Sequence, residues 1–394
     1  MNQRMAWARN ALVLPVLRLL RDIVFRTAYA VVSHLTALQP NSVILVTVRA
    51  GQLTDNLLCL YNQLDKEKYK ITQFSFARRP KLALARLVPN LRFICAMAQT
   101  QYTIVDDFLS LVYAVHLRPG ARLVQVWHAL GAFKRVGYSR QGHNGGPSPS
   151  STSHKNYTDV IVSSDAVRED FAEAFGVPVE RVHATGVPRS DLFFDQPRQA
   201  AITTRLYERL PVLRDRRVVL FAPTFRGNQK QAATYPADFF DLNQIGAGLG
   251  EHDLLVLRMH PFVRSRLHIP AAYRNTIIDL SDYPEFNDLL LVSNVLVTDY
   301  SSAIFDYSLL RRPIIFYVPD LDTYTRQRGF YYPFETYAYG PVVRDMTGLL
   351  DCLPTVSVDE QRLRTFNEFF LNRCDGQATQ RCLEAIFSTP AAVR

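Results

Sequence analysis

The chain has 394 residues, 48% hydrophobic and 21% charged, and its 45 Lys and Arg against 36 Asp and Glu give a formal net charge of +9. This length exceeds one typical hydrophobic core, so we expect two domains, and the positive charge indicates a nucleic acid, an acidic membrane surface or a phosphate-bearing substrate as partner. The sequence lacks a zinc-finger pattern, an RNA-binding motif or a long basic run, which ranks nucleic acid last, and its five cysteines show no CxxC spacing, which argues against a metal cluster or disulfide framework.

Residues 1–38 predict an amphipathic helix. Charged residues recur at helical spacing on one side of it, and these are Arg18, Arg21, Asp22 and Arg26. The opposite side is apolar and contains Leu12, Val16, Leu19, Leu20, Ile23 and Val24. Because of these charged residues, the segment has no uncharged apolar run typical of a membrane span or a signal peptide. We expect this helix to lie on anionic lipid and to be removable without unfolding the remainder, although a helix packed on the protein is the alternative.

Residues 39–195 predict a first α/β domain, with strands at 43–48, 123–126 and 160–162. Residues 141–156 are rich in Gly and Ser, which indicates a loop that is either a mobile flap over a cleft or a surface excursion. Adjacent carboxylates stand at Asp106 and Asp107. Because neighbouring side chains point apart and no third oxygen ligand accompanies them, we predict no metal site.

Residues 196–394 predict a second α/β domain, whose helical residues 360–387 are expected to pack back across the domain joint. Three of its buried strands, at 218–221, 254–257 and 295–298, are followed by polar side chains. These side chains are Thr224 and Arg226, Arg258 and His260, and Ser301 and Ser302. Ligands bind at the carboxyl ends of strands in open α/β sheets, so the three strand ends predict one phosphate pocket. The Ser-Ser pair can both cap a helix and contact phosphate there.

Five stretches carry a family resemblance. They are QVWHALGAFKRVGYS at 125–139, VPRSDLFF at 187–194, APTFRGN at 222–228, RMHP at 258–261, and TDYSSAIFDYSLLRRPIIFYVPDLDTYTRQRGFYYPFE from residue 298. In this order they resemble the CDP-glycerol glycerophosphotransferase family, the teichoic acid primases and polymerases. Many relatives have Gly directly after the His that matches His128, whereas here Ala129 follows and the glycine is displaced to Gly131.

The resemblance implies a GT-B-like fold, in which two Rossmann-like domains face a central cleft. It implies a transferase that moves glycerol phosphate from CDP-glycerol to a hydroxyl of a lipid-linked acceptor, releasing CMP, at the cytoplasmic face of the cell membrane. Ribitol phosphate transfer, a GT-B glycosyltransferase using a nucleotide sugar and a catalytically silent anion-binding scaffold are the alternatives. No cofactor is required, Mg²⁺ assistance stays open, and a homo-oligomer is one expected assembly.

The resemblance also implies roles for individual residues. His128 is the expected general base, since imidazole titrates near neutral pH, and His260 is the second catalytic histidine, which holds the pyrophosphate. The expected donor ligands are Thr224, Arg226, Arg258, His260, Ser301, Ser302 and Asp306, of which Asp306 would bind the ribose. The expected acceptor-side residues are Asp55, Asn56, Gly131 and Lys134.

Overall fold

A computed structural model describes residues 2–77, 83–143, 146–227 and 233–388, with backbone only for 2–18 and 83–84. The described residues form two parallel sheets of six strands each. Four strands of the second sheet are nearly continuous apolar runs, as expected where helices cover both faces of a parallel sheet.

The first sheet has the strand order β2-β1-β3-β4-β5-β6. Its strands are β1 (Gln39–Thr47), β2 (Lys70–Ser75), β3 (Thr100–Val105), β4 (Arg122–Gln125), β5 (Asp159–Val162) and β6 (Val182–Ala184). The helices of this half are α1 (Asn2–Leu35), α2 (Asp55–Gln63), α3 (Ala83–Gln99) and α4 (Arg168–Phe175).

The second sheet has the order β12-β11-β10-β7-β8-β9. Its strands are β7 (Arg217–Phe221), β8 (Asp253–Leu257), β9 (Ile277–Asp279), β10 (Val295–Thr298), β11 (Ile314–Tyr317) and β12 (Val342–Val343). The remaining helices are α5 (Gln196–Arg209), α6 (Leu242–Gly248), α7 (Phe286–Val292), α8 (Ala303–Ser308), α9 (Leu321–Arg328), α10 (Met346–Cys352), α11 (Glu360–Phe370) and α12 (Ala378–Phe387).

Aspartate side chains set the starts of four helices in this half. Asp195, Asp241, Asp345 and Asp359 each accept a hydrogen bond from a backbone N–H in the first turn of α5, α6, α10 and α11. Such caps satisfy donors that the helix itself leaves unpaired. These starts therefore follow from local sequence.

The final helix packs on the first sheet. Cys382 and Ile386 are fully buried in an apolar cluster with residues of β1, and the Phe387 ring lies 4.6 Å from that of Tyr102. Arg122, at the start of β4, donates to the carbonyl of Ile386. The chain thus crosses the domain joint a second time, and its last helix ties the second domain to the first sheet.

An aromatic seam joins the two domains nearer the cleft. Phe133 stacks on Phe330 with ring centroids 5.1 Å apart and contacts Tyr337 at 4.4 Å. The backbone N–H of Tyr331 donates to the carbonyl of Phe133 at 3.0 Å, and that of Arg135 to Gly329 at 3.2 Å. The seam fixes the residues after β4 against those before β12, and so sets the distance across the cleft.

The second half of α1 belongs partly to the core. Phe25 and Tyr29 are buried, and the Tyr29 hydroxyl accepts from the backbone N–H of Arg118 at 3.2 Å. Arg26 donates to the carbonyl of Ala114 at 2.9 Å, so its guanidinium is bonded to the protein although the residue is exposed. This packing disfavours the expectation that residues 1–38 can be removed without unfolding the remainder, because removal would expose the core surface beneath Phe25 and Tyr29.

The outward side of α1 exposes large apolar side chains next to polar ones. The exposed apolar side chains are Leu19, Leu20, Ile23, Val24, Val31 and Leu35, and Arg26, Thr27 and His34 are exposed beside them. The expectations for the side chains of Leu12, Val16 and Arg18 lie outside the described residues. Within the part of the chain that the structure describes, no helix is long and apolar enough to cross a membrane.

Candidate active site

The carboxyl ends of the two sheets face each other across the cleft, and each delivers a histidine. His128 follows β4 of the first domain, and His260 follows β8 of the second. Two first-domain cations, Lys134 and Arg49, lie close enough to His260 to influence its protonation. The facing strand ends therefore form one site, with a His128 side and a His260 side.

His260 lies in a positively charged environment. Burial, and then the positive charges of Lys134, Arg258 and Arg49, together lower its pKa to about 4. Its Nδ1 accepts from the backbone N–H of Phe262 at 3.2 Å, which places the proton of the neutral ring on Nε2. His260 is thus a neutral N–H donor among cations, an arrangement suited to holding a phosphate.

Arg258 supplies a cation at this side of the cleft. Only 8% of the residue is exposed, and its hydrogen bonds go to the carbonyls of Met259 and Ser281. Its Nε is buried without a hydrogen-bond partner among the described residues. The nearby Asp279 and Asp282 compensate the Arg258 charge only in part, because the hydrogen bonds of its guanidinium go to carbonyls alone, and a substrate anion would neutralise the remaining charge.

Lys134 reaches the His260 side from the first domain. It pairs with Phe330 in an isolated antiparallel bridge of the aromatic seam. Burial lowers its pKa to about 8, and the neighbouring Arg328 contributes to this shift. We expected Lys134 on the acceptor side, whereas the structure places it among the groups that surround His260.

Arg226 differs from Arg258 because two carboxylates neutralise it. Its Nε and Nη2 donate to the Asp320 carboxylate at 2.7 and 2.8 Å, and its Nη1 lies 2.9 Å from Asp299. Against the effect of burial, these carboxylates raise its pKa. The predicted pyrophosphate role is therefore disfavoured. Thr224 is drawn into the same network, since its N–H donates to Asp299 and its carbonyl accepts from Arg226, and its side chain is buried.

Ser301 and Ser302 are both half-buried at the start of α8. The Ser301 hydroxyl accepts from the N–H of Ala303 at 3.3 Å. Ser302 occupies the N-cap position, yet its backbone is already helical (φ −66°) and its side chain makes no capping hydrogen bond. Only Ser301 therefore makes the predicted local contact, and the Ser302 hydroxyl is not used in capping.

Asp306 was predicted to face the cleft, but the structure buries it. It is 2% exposed, and its Oδ2 accepts from Arg189 at 2.8 Å. Burial raises its pKa to about 6, against the opposing effect of Arg189. Every residue of α8 is buried, so a position one turn after Ser302 lies inside the domain joint rather than in a ribose pocket.

On the His128 side, the imidazole faces a carboxylate. Its Nδ1 lies 3.4 Å from Oδ2 of Asp107, and about a third of the His128 side chain is exposed. Although burial acts in the opposite direction, His128 lowers the pKa of Asp107. From the sequence, Asp107 was weighed only as a metal ligand. The signal that could have identified it is that β3 and β4 are neighbours with Val105 paired to Gln125, and Asp107 and His128 follow these paired residues within three positions.

The structure gives three of the expected acceptor-side residues local structural contacts. Asn56 is 1% exposed, and its side chain donates to the carbonyl of Trp127 at 2.7 Å. Gly131 has φ +61°, and a Cβ there would lie 2.2 Å from the Phe305 ring, so it permits close approach of the two domains. Asp55 is partly exposed and pairs with Arg49 at 3.1 Å.

The neighbouring Asp106 is buried and does not join the His128 site. Burial raises its pKa to about 6, while the Thr47 hydroxyl bonds its carboxylate. Among the described residues, no group of three or more His, Cys, Asp or Glu side chains is arranged to hold a metal ion.

Comparisons with known proteins agree with this architecture. The chain is 38% identical to a teichoic acid poly(ribitol-phosphate) polymerase of Bacillus spizizenii over 94% of its own length and 60% of the relative's. It is 36% identical to the ribitol-phosphate polymerase TarK of Staphylococcus aureus, over 93% of this chain and 72% of that one. It is 33% identical to a ribitol-phosphate primase of Bacillus spizizenii, over 93% and 95%.

The wall teichoic acid polymerase TagF has the same fold. Its structure superposes with a TM-score of 0.74 at 21% identity, covering 95% of this chain and 96% of that one. This match confirms the predicted GT-B-like arrangement of two domains. The family model for CDP-glycerol:poly(glycerophosphate) glycerophosphotransferases matches residues 27–388, which confirms the resemblance seen in the sequence. The chain therefore belongs to the CDP-glycerol:poly(glycerophosphate) glycerophosphotransferase family.

Proposed function

We propose that the chain transfers a polyol phosphate from a CDP-polyol to a hydroxyl of a lipid-linked acceptor during teichoic acid synthesis, releasing CMP. The family match and the relatives named for teichoic acid synthesis support this assignment. The observation that carries it is that the two sides of one cleft hold different sets of charged and titratable groups. A buried arginine with a neutral histidine lies on one side, and a histidine beside a carboxylate lies on the other.

The two sides supply the two requirements of the transfer. Arg258, His260 and Lys134 hold the charge of the donor pyrophosphate. His128 takes the proton of the acceptor hydroxyl as the oxygen attacks the phosphorus that bears the polyol. The new oxygen–phosphorus bond forms, the bond to the CMP oxygen breaks, and CMP departs with that electron pair.

Ribitol phosphate is the second candidate for the transferred group, beside the predicted glycerol phosphate. Ribitol-phosphate relatives are 33–38% identical over 93–94% of this chain, whereas glycerol-phosphate relatives are 28–31% identical over 68–76%. The more extensive similarity favours the longer polyol.

Nucleotide release tests both the chemistry and the polyol. The protein is incubated with CDP-glycerol, CDP-ribitol or a UDP-sugar, each with a lipid analogue that ends in a polyol phosphate, and CMP and UDP are measured. We expect CMP from a CDP-polyol, dependent on acceptor and lost in His128→Ala. Release of UDP without CMP would instead identify a glycosyltransferase.

We also propose that the protein binds the cytoplasmic face of the membrane peripherally. Exposed apolar side chains of α1 support this, together with Val88 of α3, which is 72% exposed on the helix that packs against α1. Leu20→Glu with Ile23→Glu should reduce sedimentation with anionic vesicles. Val212→Glu, at an exposed apolar residue elsewhere, is the matched control. Equal binding of both variants would place the membrane contact on another surface.

A further inference from the structure

Asp107 and His128 meet at the ends of adjacent strands. The Nδ1 of His128 is buried and has no hydrogen-bond partner among the described residues, yet it lies 3.4 Å from the Asp107 carboxylate. A buried ring nitrogen without a partner is costly, and a small rotation of either side chain would close this gap to a hydrogen bond. The other carboxylate oxygen, Oδ1, accepts from the N–H of Phe108 at 2.6 Å, which holds Asp107 in place.

The backbone that carries His128 is strained and held from both sides. Trp127 has φ +47°, a conformation that a bulky residue rarely adopts. Its N–H donates to Oε1 of Gln125 at 2.8 Å, and its carbonyl accepts from Nδ2 of Asn56 at 2.7 Å. The Trp127 ring also lies against the imidazole of His128, with centroids 4.6 Å apart and the ring planes tilted by 35°. Two buried amides thus maintain the turn that presents His128 to Asp107.

We propose that Asp107 is a positioning residue that fixes the tautomer of His128 and stabilises its protonated form, while Asn56 and Gln125 hold the Trp127 turn that aligns the pair. The proposal rests on the proposed function, in which His128 is the general base. The neutral ring then carries its proton on Nδ1, directed at Asp107, and leaves the Nε2 lone pair for the acceptor hydroxyl.

The Asp107 carboxylate acts when positive charge develops on the His128 ring. As the acceptor oxygen bonds to phosphorus, its proton moves to Nε2, and the ring becomes an imidazolium with a proton on each nitrogen. The Asp107 carboxylate then faces a positive ring across the Nδ1–H and remains ionised. It takes no proton and touches neither substrate, so its effect passes entirely through His128.

The test compares two adjacent acids. Asp107→Asn retains the oxygen that accepts from Phe108 but can donate an amide hydrogen to Nδ1, which favours the tautomer with its proton on Nε2. We expect kcat to fall on the order of 100-fold or more while the donor Kd is unchanged. Asp106→Asn is the matched control, because that carboxylate faces Thr47 rather than His128, and it should keep wild-type kcat.

A second measurement does not depend on turnover. Nitrogen-15 NMR of labelled histidine, with the His128 signal assigned from a His128→Gln sample, reports which ring nitrogen carries the proton. Wild type should show the proton on Nδ1, and Asp107→Asn should shift the population toward Nε2. A wild-type ring protonated on Nε2, or an Asp107→Asn variant with wild-type kcat, would overturn the proposal. If wild type transfers no polyol phosphate at all, the proposed function fails, while the NMR result still decides the tautomer.

Discussion

The two sides of the cleft place the same side chain in opposite surroundings. His128 lies beside a carboxylate and keeps about a third of its surface exposed. His260 is surrounded by Lys134, Arg258 and Arg49, which together with burial hold its pKa near 4. An imidazole beside an anion is suited to gain a proton during reaction, whereas one among cations remains neutral and donates a hydrogen bond.

The arginines of the second domain show the same contrast. Arg226 and Arg258 both follow buried strands, and both looked equally suited to bind phosphate. Arg226 is neutralised by Asp320 and Asp299, whereas the Nε of Arg258 is buried without a hydrogen-bond partner among the described residues. Residue type alone therefore does not identify a phosphate ligand. The nearby charges decide whether a cation supports the fold or remains available for an anion.

The largest expected effect is on the His128 side. His128→Ala removes the group that accepts the proton, so turnover measured by CMP release should fall roughly 100-fold or more. Calorimetry should show the donor binding as in wild type, because the anion-binding residues are intact. His252→Ala, at an exposed histidine outside the cleft, is the control. A large loss of donor affinity in His128→Ala would assign His128 to donor binding and remove the contrast between the two sides.

Removing His260 should change a different quantity. His260→Ala should lower turnover by roughly 100-fold as well, but with a clear loss of donor affinity, since a pre-placed N–H donor to the pyrophosphate is gone. Since the pKa of His260 is held near 4, donor affinity in wild type should show no titration from this residue between about pH 5.5 and 7.5. Calorimetry over that range measures both effects. Donor affinity that is unchanged in His260→Ala would contradict the assignment.

Much of the fold was predictable because its signals are local. The strands at 218–221, 254–257 and 295–298 are apolar runs that the structure extends by at most one residue. Because ligands bind at the carboxyl ends of strands in open α/β sheets, the polar residues after these strands were predicted to lie together on one side of the cleft. His128 and His260 were placed in the site by their motifs.

The roles of Arg226 and Asp306 depend instead on distant partners. Asp320 is 94 residues from Arg226, and Arg189 is 117 residues from Asp306. Sequence spacing gives no information about which carboxylate meets which cation once the chain has folded. Asp107 was missed for a related reason, because its partner His128 follows a neighbouring strand whose register only the folded sheet defines.

Ser301 and Ser302 offer a smaller and separable test. Replacing both with Ala should weaken donor binding by roughly 1 to 3 kcal/mol if their hydroxyls bond the pyrophosphate. The melting temperature should change little in Ser302→Ala, because Ser302 makes no capping bond, and slightly more in Ser301→Ala, which loses the contact to Ala303. Measuring the donor KM and the melting temperature of both single variants and of the double variant separates a donor-binding role from a structural one. A lowered melting temperature with an unchanged KM would assign the pair a structural role alone.

The smallest expected effect tests whether Lys134 belongs to the His260 side. Its pKa is lowered to about 8 by burial and by Arg328, so its positive charge is present at neutral pH and is lost as the pH rises through about 8. Donor affinity should therefore decline above that pH, by roughly fivefold for a contribution of ~1 kcal/mol from one partly screened charge. Lys134→Arg keeps its charge over this range and should abolish the decline, whereas Lys134→Gln should bind the donor weakly at every pH. Calorimetry with a CDP-polyol in the absence of acceptor isolates donor binding. If Lys134→Gln instead binds the donor as wild type does and raises only the KM for the acceptor, Lys134 acts on the acceptor side as the sequence predicted.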